Sequence, residues 1–316
     1  MKKLILVLSL ALATLGVLPN FAFARLVVGI SSVNVAFLPL YVTLEKGFFK
    51  DEGLDVLPVM FNAGNTNLQA MVGGDVQIMA GAVAETVLGR AQGLDVKNFW
   101  GICNLMPFEL YSNAKLTSMK EMKGKRFAIS RFGSLSDFLT RASLLRFGID
   151  PKEVTILQIG STPARFAALS SGGVDATILW FPVTETAKTM GFRKLFDLKE
   201  MYPEWPYEAF AARESWLAKE KDQAMRFVRA YQRGTKLTRE NRDEAIKALR
   251  KSVKMDPAHA PAGYDQYRDS FPLDGKIAEK GISIVANEEF DQGRVKRRVT
   301  LEEMVDRSFM TMLGGK

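Results

Sequence analysis

Short, mostly apolar runs alternate with amphipathic stretches along the first two-thirds of the chain. In the first third, the runs have the length and composition of buried strands; they cover residues 25–30, 54–61, 76–80 and 96–104. Between the first two runs, Leu40, Leu44 and Phe48 recur at helical spacing and predict a helix over residues 39–49. The alternation predicts an α/β fold in which helical crossovers join mostly parallel strands.

The middle third repeats this pattern. Strands are predicted at 125–130, 154–159, 176–180 and 193–198, and helices at 134–147, 163–170 and 184–190. Residues 59–78 and 157–176 align without a gap at an offset of 98, and each stretch reads strand, small-residue turn, helix, glycine, strand. Two such units predict two similar lobes, and a cleft between similar lobes is a place where a small molecule binds.

Proline-containing segments mark the points where the chain is predicted to cross between the lobes, near residues 107–113 and 198–207. Lobe one would hold residues 25–107 and 207–316, and lobe two would hold residues 108–206. From residue 213 onward, charged helical sequence rich in alanine and leucine replaces the strand pattern. We expect these C-terminal helices to pack on lobe one.

The first 24 residues have the organisation of a secretory signal peptide. Lys2 and Lys3 precede an apolar run over residues 4–17, Pro19 interrupts it, and a small–x–small triplet ends at Ala24. The apolar run is too short to span a bilayer comfortably. The sequence therefore predicts cleavage near Ala24, directly after that residue, and a periplasmic protein that we expect to be a monomer.

The composition argues against several kinds of chemistry. The 316-residue chain has a formal charge of +8, and removal of Lys2 and Lys3 leaves +6, an excess that attracts anions without identifying one. Cys103 is the only cysteine and His259 the only histidine, so an internal disulfide, a His-centred triad and a His/Cys metal cluster are not expected. No P-loop or dinucleotide fingerprint occurs. We predict no catalytic residue, metal, cofactor or nucleic-acid partner.

Small and polar residues follow the predicted strands at their carboxyl ends, the edge where open α/β sheets bind ligands. We predict that the loops at 34–37 and 131–136 face each other across the cleft. Their amide and hydroxyl groups would bind a polar ligand group, aromatic side chains would form apolar walls, and Arg131 would pair with an acidic ligand. The predicted ligand-binding residues are Asn34, Phe37, Asn65, Ala82, Arg131, Phe132, Ser134, Ser136, Thr162 and Trp180.

Most of these residues also have a structural alternative. The polar residues at predicted helix starts would serve equally well as helix N-caps, namely Asn65, Ser134 and Thr162. The aromatic residues would fit the core as well as a cleft, namely Phe37, Phe132 and Trp180. Arg131 would pair with a surface carboxylate as readily as with a ligand. The sequence alone does not decide between these structural roles and ligand binding.

Several segments resemble the type II periplasmic solute-binding proteins of the nitrate, sulfonate, taurine and thiamine-precursor branch. The strongest piece is Glu-Lys-Gly-Phe-Phe at residues 45–49, preceded by Phe-Leu-Pro-Leu-Tyr at 37–41. Further matching segments are the paired elements at 74–77 and 172–175, the segment 116–126 and the helices over 210–249. Gln77 stands where this family usually has an aspartate, at a position that stabilises the lobe.

The resemblance implies a two-lobe type II periplasmic-binding-protein fold, with a mostly parallel sheet flanked by helices in each lobe. It also implies a non-enzymatic protein that captures a small organic ligand, anionic or aromatic, and delivers it to the membrane permease of an ABC transporter. Two alternatives stay open: a biosynthetic enzyme on the same fold, of the thiamine-pyrimidine or menaquinone-pathway type, and a ligand-binding partner of a periplasmic sensor. A single histidine and a single cysteine fit the pyrimidine synthase poorly.

Overall fold

A computed structural model describes residues 24–314, so residues 1–23 of the predicted signal peptide lie outside the described residues. The strands are β1 Ala24–Ile30, β2 Leu54–Met60, β3 Ile78–Ala82, β4 Lys97–Cys103, β5 Phe108–Ser112, β6 Arg126–Ile129, β7 Thr155–Gln158, β8 Ala176–Trp180, β9 Arg193–Asp197 and β10 Glu208–Ala212. The α-helices are α1 Leu38–Glu45, α2 Phe48–Asp51, α3 Gly64–Gly73, α4 Val83–Ala91, α5 Leu135–Arg146, α6 Thr162–Ser170, α7 Val183–Thr189, α8 Glu214–Lys219, α9 Lys221–Glu240, α10 Arg242–Ala248, α11 Ala260–Tyr267, α12 Glu279–Asp291, α13 Leu301–Met304 and α14 Ser308–Gly314. Short 3-10 turns lie at Val35–Phe37, Met119–Met122, Pro151–Glu153, Leu198–Glu200 and Arg268–Ser270, and a π-helical turn lies at Leu249–Val253.

The strands form two five-stranded sheets with the same layout. The order is β2-β1-β3-β10-β4 in lobe one and β7-β6-β8-β5-β9 in lobe two. In each sheet the first three strands are parallel, and the fourth runs antiparallel to both of its neighbours. Each lobe therefore has one reversed strand in an otherwise parallel sheet, which confirms the predicted two-lobe α/β architecture.

Helices cover both faces of the first sheet. Leu26, Val28 and Ile30 alternate along β1 and are completely buried in the main core. On the opposite face, Met71 and Met79 belong to a separate apolar cluster. A strand buried on both sides explains why its sequence is a nearly continuous apolar run rather than an alternation of apolar and polar residues.

Gly47 divides the helix predicted over residues 39–49 into two. Its φ of +74° is in the left-handed region, which glycine adopts without a Cβ penalty. α1 therefore ends at Glu45 and α2 begins at Phe48, a division that the helical spacing alone did not predict.

The reversed strands β5 and β10 were not predicted. Residues 108–112 form β5, which pairs with β8 and β9, so the first connection between the sheets lies at residues 104–107, before most of the predicted segment. The second connection, residues 201–207, leads into β10 and lies within the predicted segment. Each reversed strand is thus the first strand that the chain forms after it changes sheets.

Gln77 and Asp175 occupy equivalent positions in the two lobes, and each side chain accepts a hydrogen bond from a backbone amide of the neighbouring strand. Gln77 Oε1 accepts a hydrogen bond from the Val27 amide at 3.0 Å. Asp175 Oδ2 accepts one from the Arg126 amide at 2.9 Å and also pairs with that guanidinium. Gln77 therefore ties the middle of β1 to the segment directly before β3, and Asp175 ties the start of β6 to the segment directly before β8.

The C-terminal helices pack on lobe one, as predicted. Phe227 of α9 stacks on Phe49 of α2, with ring centroids 4.9 Å apart, and contacts Phe210 of β10 edge-on. Gly234 of α9 lies so close to α1 that an added Cβ would approach Thr43 Oγ1 to 1.9 Å. None of the helices between residues 24 and 314 is both long and apolar enough to cross a membrane.

Candidate ligand-binding cleft

A cleft of about 320 Å³ lies where the carboxyl ends of the parallel strands of both lobes meet. Lobe one contributes the residues that follow β1, β2 and β3, and lobe two contributes those that follow β6, β7 and β8. This is the edge at which the sequence predicted a site. The lining residues are Ser31, Ser32, Val33, Met60, Phe61, Asn62, Ala63, Gly64, Ala82, Glu85, Phe108, Ser130, Leu135, Ser136, Ser161, Thr162, Pro163, Arg165, Trp180, Tyr207 and Glu208.

Arg165 is the cation of the cleft. It lies in the first turn of α6 and is 2% exposed. Its guanidinium donates to the Gly160 carbonyl at 2.7 Å, to Thr162 Oγ1 at 3.0 Å, and to Thr177 Oγ1 and the Ile178 carbonyl. All these acceptors are neutral, and burial lowers the pKa of Arg165 to about 10. The group therefore stays charged at neutral pH without a carboxylate partner among the described residues.

Aromatic rings form one wall beside this cation. The Arg165 guanidinium lies 5.8 Å from the ring centroid of Trp180, within cation–π range. The Trp180 ring meets Phe108 edge-on at 5.5 Å, and Phe108 meets Tyr207 edge-on at 5.0 Å. An apolar or aromatic ligand body would have a preformed surface here.

Three serine hydroxyls lie together at the entrance to α5. Ser130 Oγ lies 2.8 Å from Ser134 Oγ and 2.9 Å from Ser136 Oγ. Ser134 donates to the Arg131 carbonyl and accepts from the Asp137 amide as the helix N-cap. Ser130 and Ser136 line the cleft, so the N-cap network also holds hydroxyl groups toward a ligand.

Glu85 belongs to lobe one and reaches toward lobe two. It lies in the first turn of α4 and is 4% exposed, and its Oε1 accepts from the Leu135 amide of lobe two at 3.1 Å. Burial raises the pKa of Glu85 to about 7. Gly64 packs so closely on this carboxyl that an added Cβ would lie 1.8 Å from Oε2. The close approach explains why a glycine begins α3.

Glu208 is a second buried acid at the cleft. It is the first residue of β10, is 3% exposed, and pairs across the sheet with Ala82 and Cys103. Burial, followed by the charge of Glu85, raises the pKa of Glu208 well above its ordinary value. The Oε2 atoms of both acids have no hydrogen-bond partner within residues 24–314.

Further hydrogen bonds join the lobes at the mouth of the cleft. Asn65 Nδ2 of lobe one donates to the Phe132 carbonyl of lobe two at 3.0 Å. Arg294, which follows α12, donates to Asp137 Oδ2 of α5 at 3.1 Å. Together with the bond between Glu85 and Leu135, these contacts link the two lobes directly.

Four of the residues predicted to bind ligand line the cleft, namely Ala82, Ser136, Thr162 and Trp180. Thr162 is the first residue of α6, whose N-cap position is occupied by Ser161, and its hydroxyl accepts from Arg165. Trp180 is partly buried at the end of β8 rather than part of the closed core.

The other predicted residues do not line the cleft. Asn34 caps the 3-10 turn that follows β1 and donates to the Tyr207 hydroxyl. Phe37 is completely buried in the core, Ser134 is the N-cap of α5, and Asn65 bonds to the opposite lobe. Their positions support the structural alternatives for Phe37 and Ser134, whereas Asn65 lies inside α3 and is not its cap.

Arg131 and Phe132 are exposed at the outside of the cleft. Arg131 lines neither the cleft nor the shallow depression beside it. Phe132 is 48% exposed, lines that depression, and lies under the Arg141 guanidinium at 6.0 Å. The predicted pairing of Arg131 with a ligand therefore requires a ligand that extends out of the cleft.

Sequence reasoning did not single out the basic residue and the two carboxylic acids that line the cleft. Arg165 lay in a predicted helix, Glu85 lay between the strands predicted at 76–80 and 96–104, and Glu208 lay next to a predicted crossing. At the offset of 98 Arg165 aligns with Asn67, and the structure buries both side chains. The described residues contain no group of His, Cys, Asp or Glu side chains arranged to hold a metal ion.

Two lobes with the same sheet layout and a cleft between them are the architecture of two-lobe solute-binding proteins. A family model described as NMT1/THI5-like matches residues 34–245, and the chain belongs to this family. The riboflavin-binding protein RibY of Chloroflexus aurantiacus is 29% identical over 228 residues, which cover 67% of this chain and 62% of that protein.

Solved structures share the fold over nearly the whole chain. The alkanesulfonate-binding protein SsuA from Xanthomonas axonopodis pv. citri, bound to MOPS, has a TM-score of 0.76 at 20% identity, covering 90% of this chain and 98% of that one. The periplasmic nitrate-binding protein NrtA from Synechocystis PCC 6803 has a TM-score of 0.73 at 12% identity, covering 93% and 89%. The predicted family and fold are confirmed. Since these relatives are binding proteins and not enzymes, the chain is a solute-binding protein.

Proposed function

We propose that the protein is an exported solute-binding protein that captures a small organic anion between its lobes and delivers it to the permease of an ABC transporter. The observation that carries this proposal is Arg165, a guanidinium 2% exposed at the cleft and without a carboxylate partner among the described residues.

Burial of an uncompensated charge is expensive. Even after relaxation, removing an ion from water costs several kcal/mol, and neutral hydrogen-bond acceptors repay only part of that cost. The bonds to Gly160, Thr162, Thr177 and Ile178 orient the guanidinium but supply no opposite charge. An anionic ligand would supply that charge and gain a charge-assisted hydrogen bond.

Neutral donors near Arg165 favour the same kind of ligand group. α6 begins at Thr162, and its free backbone N–H groups and positive dipole end lie at the cleft. The hydroxyl groups of Ser130 and Ser136 lie on the same lobe. A carboxylate or sulfonate, with several acceptor oxygens, matches this set of donors better than a neutral polar group.

The aromatic wall favours an organic rather than an inorganic anion. Trp180, Phe108 and Tyr207 form a continuous edge-on series beside the guanidinium. A volume of about 320 Å³ suits a small organic molecule. The named relatives bind an alkanesulfonate, nitrate and riboflavin, so anionic and aromatic ligands both occur on this fold.

Export and delivery rest on the signal-peptide pattern and on the family. Lys2, Lys3 and the run over residues 4–17 have the composition of a secretory leader, and NrtA is described as periplasmic. A monomer that opens and closes around its ligand would present a lobe-closed surface to the permease. Loss of ligand uptake in cells lacking the protein would test the transport role.

Binding itself is tested with the chain that starts at Arg25. A thermal-shift screen would compare alkyl- and arylsulfonates, carboxylates, pyrimidines and flavins, because a ligand that binds only the folded state raises the melting temperature. Calorimetry would then compare Arg165→Gln with Arg131→Gln. Loss of a charged hydrogen bond costs about 1.5–3 kcal/mol, so we expect about 10- to 100-fold weaker binding in Arg165→Gln.

Arg131→Gln is the matched control, because it removes an exposed arginine from the same lobe. We expect its affinity to stay within about threefold of the wild-type value, in keeping with the small effects of exposed charges. If Arg165→Gln bound the anion as tightly as the wild-type protein did, or if no anion shifted the melting temperature, the proposed function would be wrong.

A further inference from the structure

Two buried carboxyl groups face the same cleft as Arg165. Glu85 is 4% exposed and Glu208 is 3% exposed, and both line the cleft. Neither forms a salt bridge with a described lysine, arginine or histidine, and the Oε2 atom of each has no hydrogen-bond partner within residues 24–314. Such unsatisfied buried acceptors are rare and call for a partner outside the chain.

Within the part of the chain that the structure describes, the surroundings of Glu208 supply hydroxyl and thiol groups but no cation. The titratable groups that face it are Glu85 and the side chains of Tyr41, Cys103, Tyr207 and Tyr267. Glu85 accepts a hydrogen bond from the Leu135 amide, which orients the carboxyl without adding a formal positive charge. The protein thus builds an acidic end of the cleft and leaves it uncompensated.

The acidic and cationic ends do not neutralise each other. The two acids repel, since the charge of Glu85 raises the pKa of Glu208. The hydrogen bonds of Arg165 all go to neutral acceptors, and neither acid forms a salt bridge with it within the described residues. The cleft is therefore bipolar, with a guanidinium on lobe two and a pair of carboxyls on lobe one.

We infer that the ligand is a zwitterion whose ammonium group binds Glu85 and Glu208 while its carboxylate or sulfonate binds Arg165. This inference rests on the proposed function, because it assigns the anionic end of the ligand to the same guanidinium. An ammonium group has three N–H donors and one positive charge, so it can satisfy both Oε2 atoms and remove the repulsion between the acids. A neutral acceptor would satisfy one protonated carboxyl and leave the second oxygen unpaired.

The inference predicts a preference that matched ligands can measure. Calorimetry would compare 3-aminopropanesulfonate with propanesulfonate, and 4-(aminomethyl)benzoate with 4-methylbenzoate. In each pair the acid is the same and only the amine differs. We expect the amine-bearing member to bind at least about tenfold more tightly, the gain typical of a charge-assisted hydrogen bond.

Variants assign this preference to the two acids. We expect the affinity of the amine-bearing ligand relative to its amine-free partner to fall to about one in Glu208→Gln, and to fall also in Glu85→Gln. The control is Glu200→Gln, which changes an exposed carboxyl outside the cleft and should keep the wild-type ratio. Melting temperatures would verify that each variant is folded. A ratio unchanged in both cleft variants would overturn the assignment to these residues.

A second readout uses only the wild-type protein. An ammonium favours ionised carboxylates, so its binding should release about one proton near pH 7. Titrations in two buffers of different ionisation enthalpy measure that release, and the amine-free ligand should release none. If both members of each pair bound equally and without proton release, the inference would be wrong and the proposed function would stand. If no acid in either pair or in the anion screen bound, the proposed function itself would be wrong.

Discussion

The two lobes share one scaffold and differ in the chemistry placed on it. At the offset of 98 residues, Asn67 of lobe one aligns with Arg165 of lobe two. Asn67 Nδ2 donates to the Ala80 carbonyl of β3, and Arg165 Nη2 donates to the equivalent Ile178 carbonyl of β8, each at 3.3 Å. The same backbone acceptor is thus served by a neutral amide in one lobe and by a guanidinium in the other. The fold fixes the position, and the side chain decides whether that position attracts an anion.

The reversed strands show the same contrast. Glu208 opens β10 and pairs with Ala82, and Phe108 opens β5 and pairs with Trp180, which is equivalent to Ala82. All four residues line the cleft. Lobe one therefore presents an acid beside a small residue, and lobe two presents two aromatic rings at the matching place. Lobe two therefore supplies the cation and the aromatic wall of the cleft, and lobe one supplies the acids.

Truncation of the matched pair Phe108 and Glu208 should give the largest difference in stability. Phe108→Ala removes a ring that is 4% exposed and contacts Trp180 and Tyr207, so we expect a loss of about 3–5 kcal/mol in the free energy of unfolding. Glu208→Ala removes a buried acid whose Oε2 atom has no hydrogen-bond partner within residues 24–314, so we expect a change below about 1 kcal/mol. Urea unfolding measures the free energy of unfolding of both variants. Equal losses would contradict the distinction between the packed aromatic wall of lobe two and the acids of lobe one.

Glu85 should make stability depend on pH in a stated direction. Its pKa rises from an ordinary value of 4.5 to about 7 on folding, so the folded state holds a proton that the unfolded state has lost between these values. The stabilisation that this bound proton gives to the folded state is fully present below pH 4.5. It is lost as pH rises through 7, which lowers the free energy of unfolding by about 3 kcal/mol. The stability of Glu85→Gln relative to the wild-type protein should therefore increase with pH.

Urea unfolding from pH 4.5 to 8 measures this difference. Glutamine keeps the carbonyl oxygen that accepts from the Leu135 amide, so the comparison isolates the ionisation. Glu200→Gln, on an exposed carboxyl, should follow the wild-type curve in parallel. Parallel curves for Glu85→Gln and the wild-type protein would show that Glu85 does not titrate in this range.

Arg165→Asn gives lobe two the residue that lobe one has at the equivalent position. We expect about 10- to 100-fold weaker binding of an acidic ligand, the cost of one charged hydrogen bond. We expect little change in the melting temperature, because the variant removes an uncompensated buried charge together with its hydrogen bonds. Calorimetry and thermal unfolding measure the two effects separately. Loss of folding instead of affinity would mean that Arg165 is a structural residue.

The sequence predicted the parts of this molecule that repeat and missed those that break the repeat. The apolar runs of β1 to β3 and β6 to β8, and the edge where the cleft lies, follow from alternation and sheet geometry. β5 and β10 were missed because each follows a connection between the sheets rather than a helix. The alternation of strands and helices therefore does not predict them. Glu208 was missed with β10, and Arg165 was missed because a single arginine in a helix reads as a solvated side chain. Its burial depends on Thr177 and Ile178, which are contributed by a strand distant in sequence.

The smallest expected effect concerns the contact between the lobes rather than the chemistry of either one. Asn65 Nδ2 donates to the Phe132 carbonyl at 3.0 Å from a partly exposed position. A neutral hydrogen bond of this kind contributes about 0.5–1.5 kcal/mol. Since only the closed state contains it, Asn65→Ala should shift the population toward the open state and weaken ligand binding by about tenfold or less.

Scattering and calorimetry distinguish that effect from a change in the site. Asn65 does not line the cleft, so ligand selectivity should be unchanged while affinity falls and the ligand-free radius of gyration grows. Asn287→Ala, on an exposed asparagine of α12, is the matched control and should change neither quantity. If Asn65→Ala altered the preference among acids but not the radius of gyration, Asn65 would act on the ligand, and the amide would belong to the chemistry of lobe one rather than to the closure of the lobes.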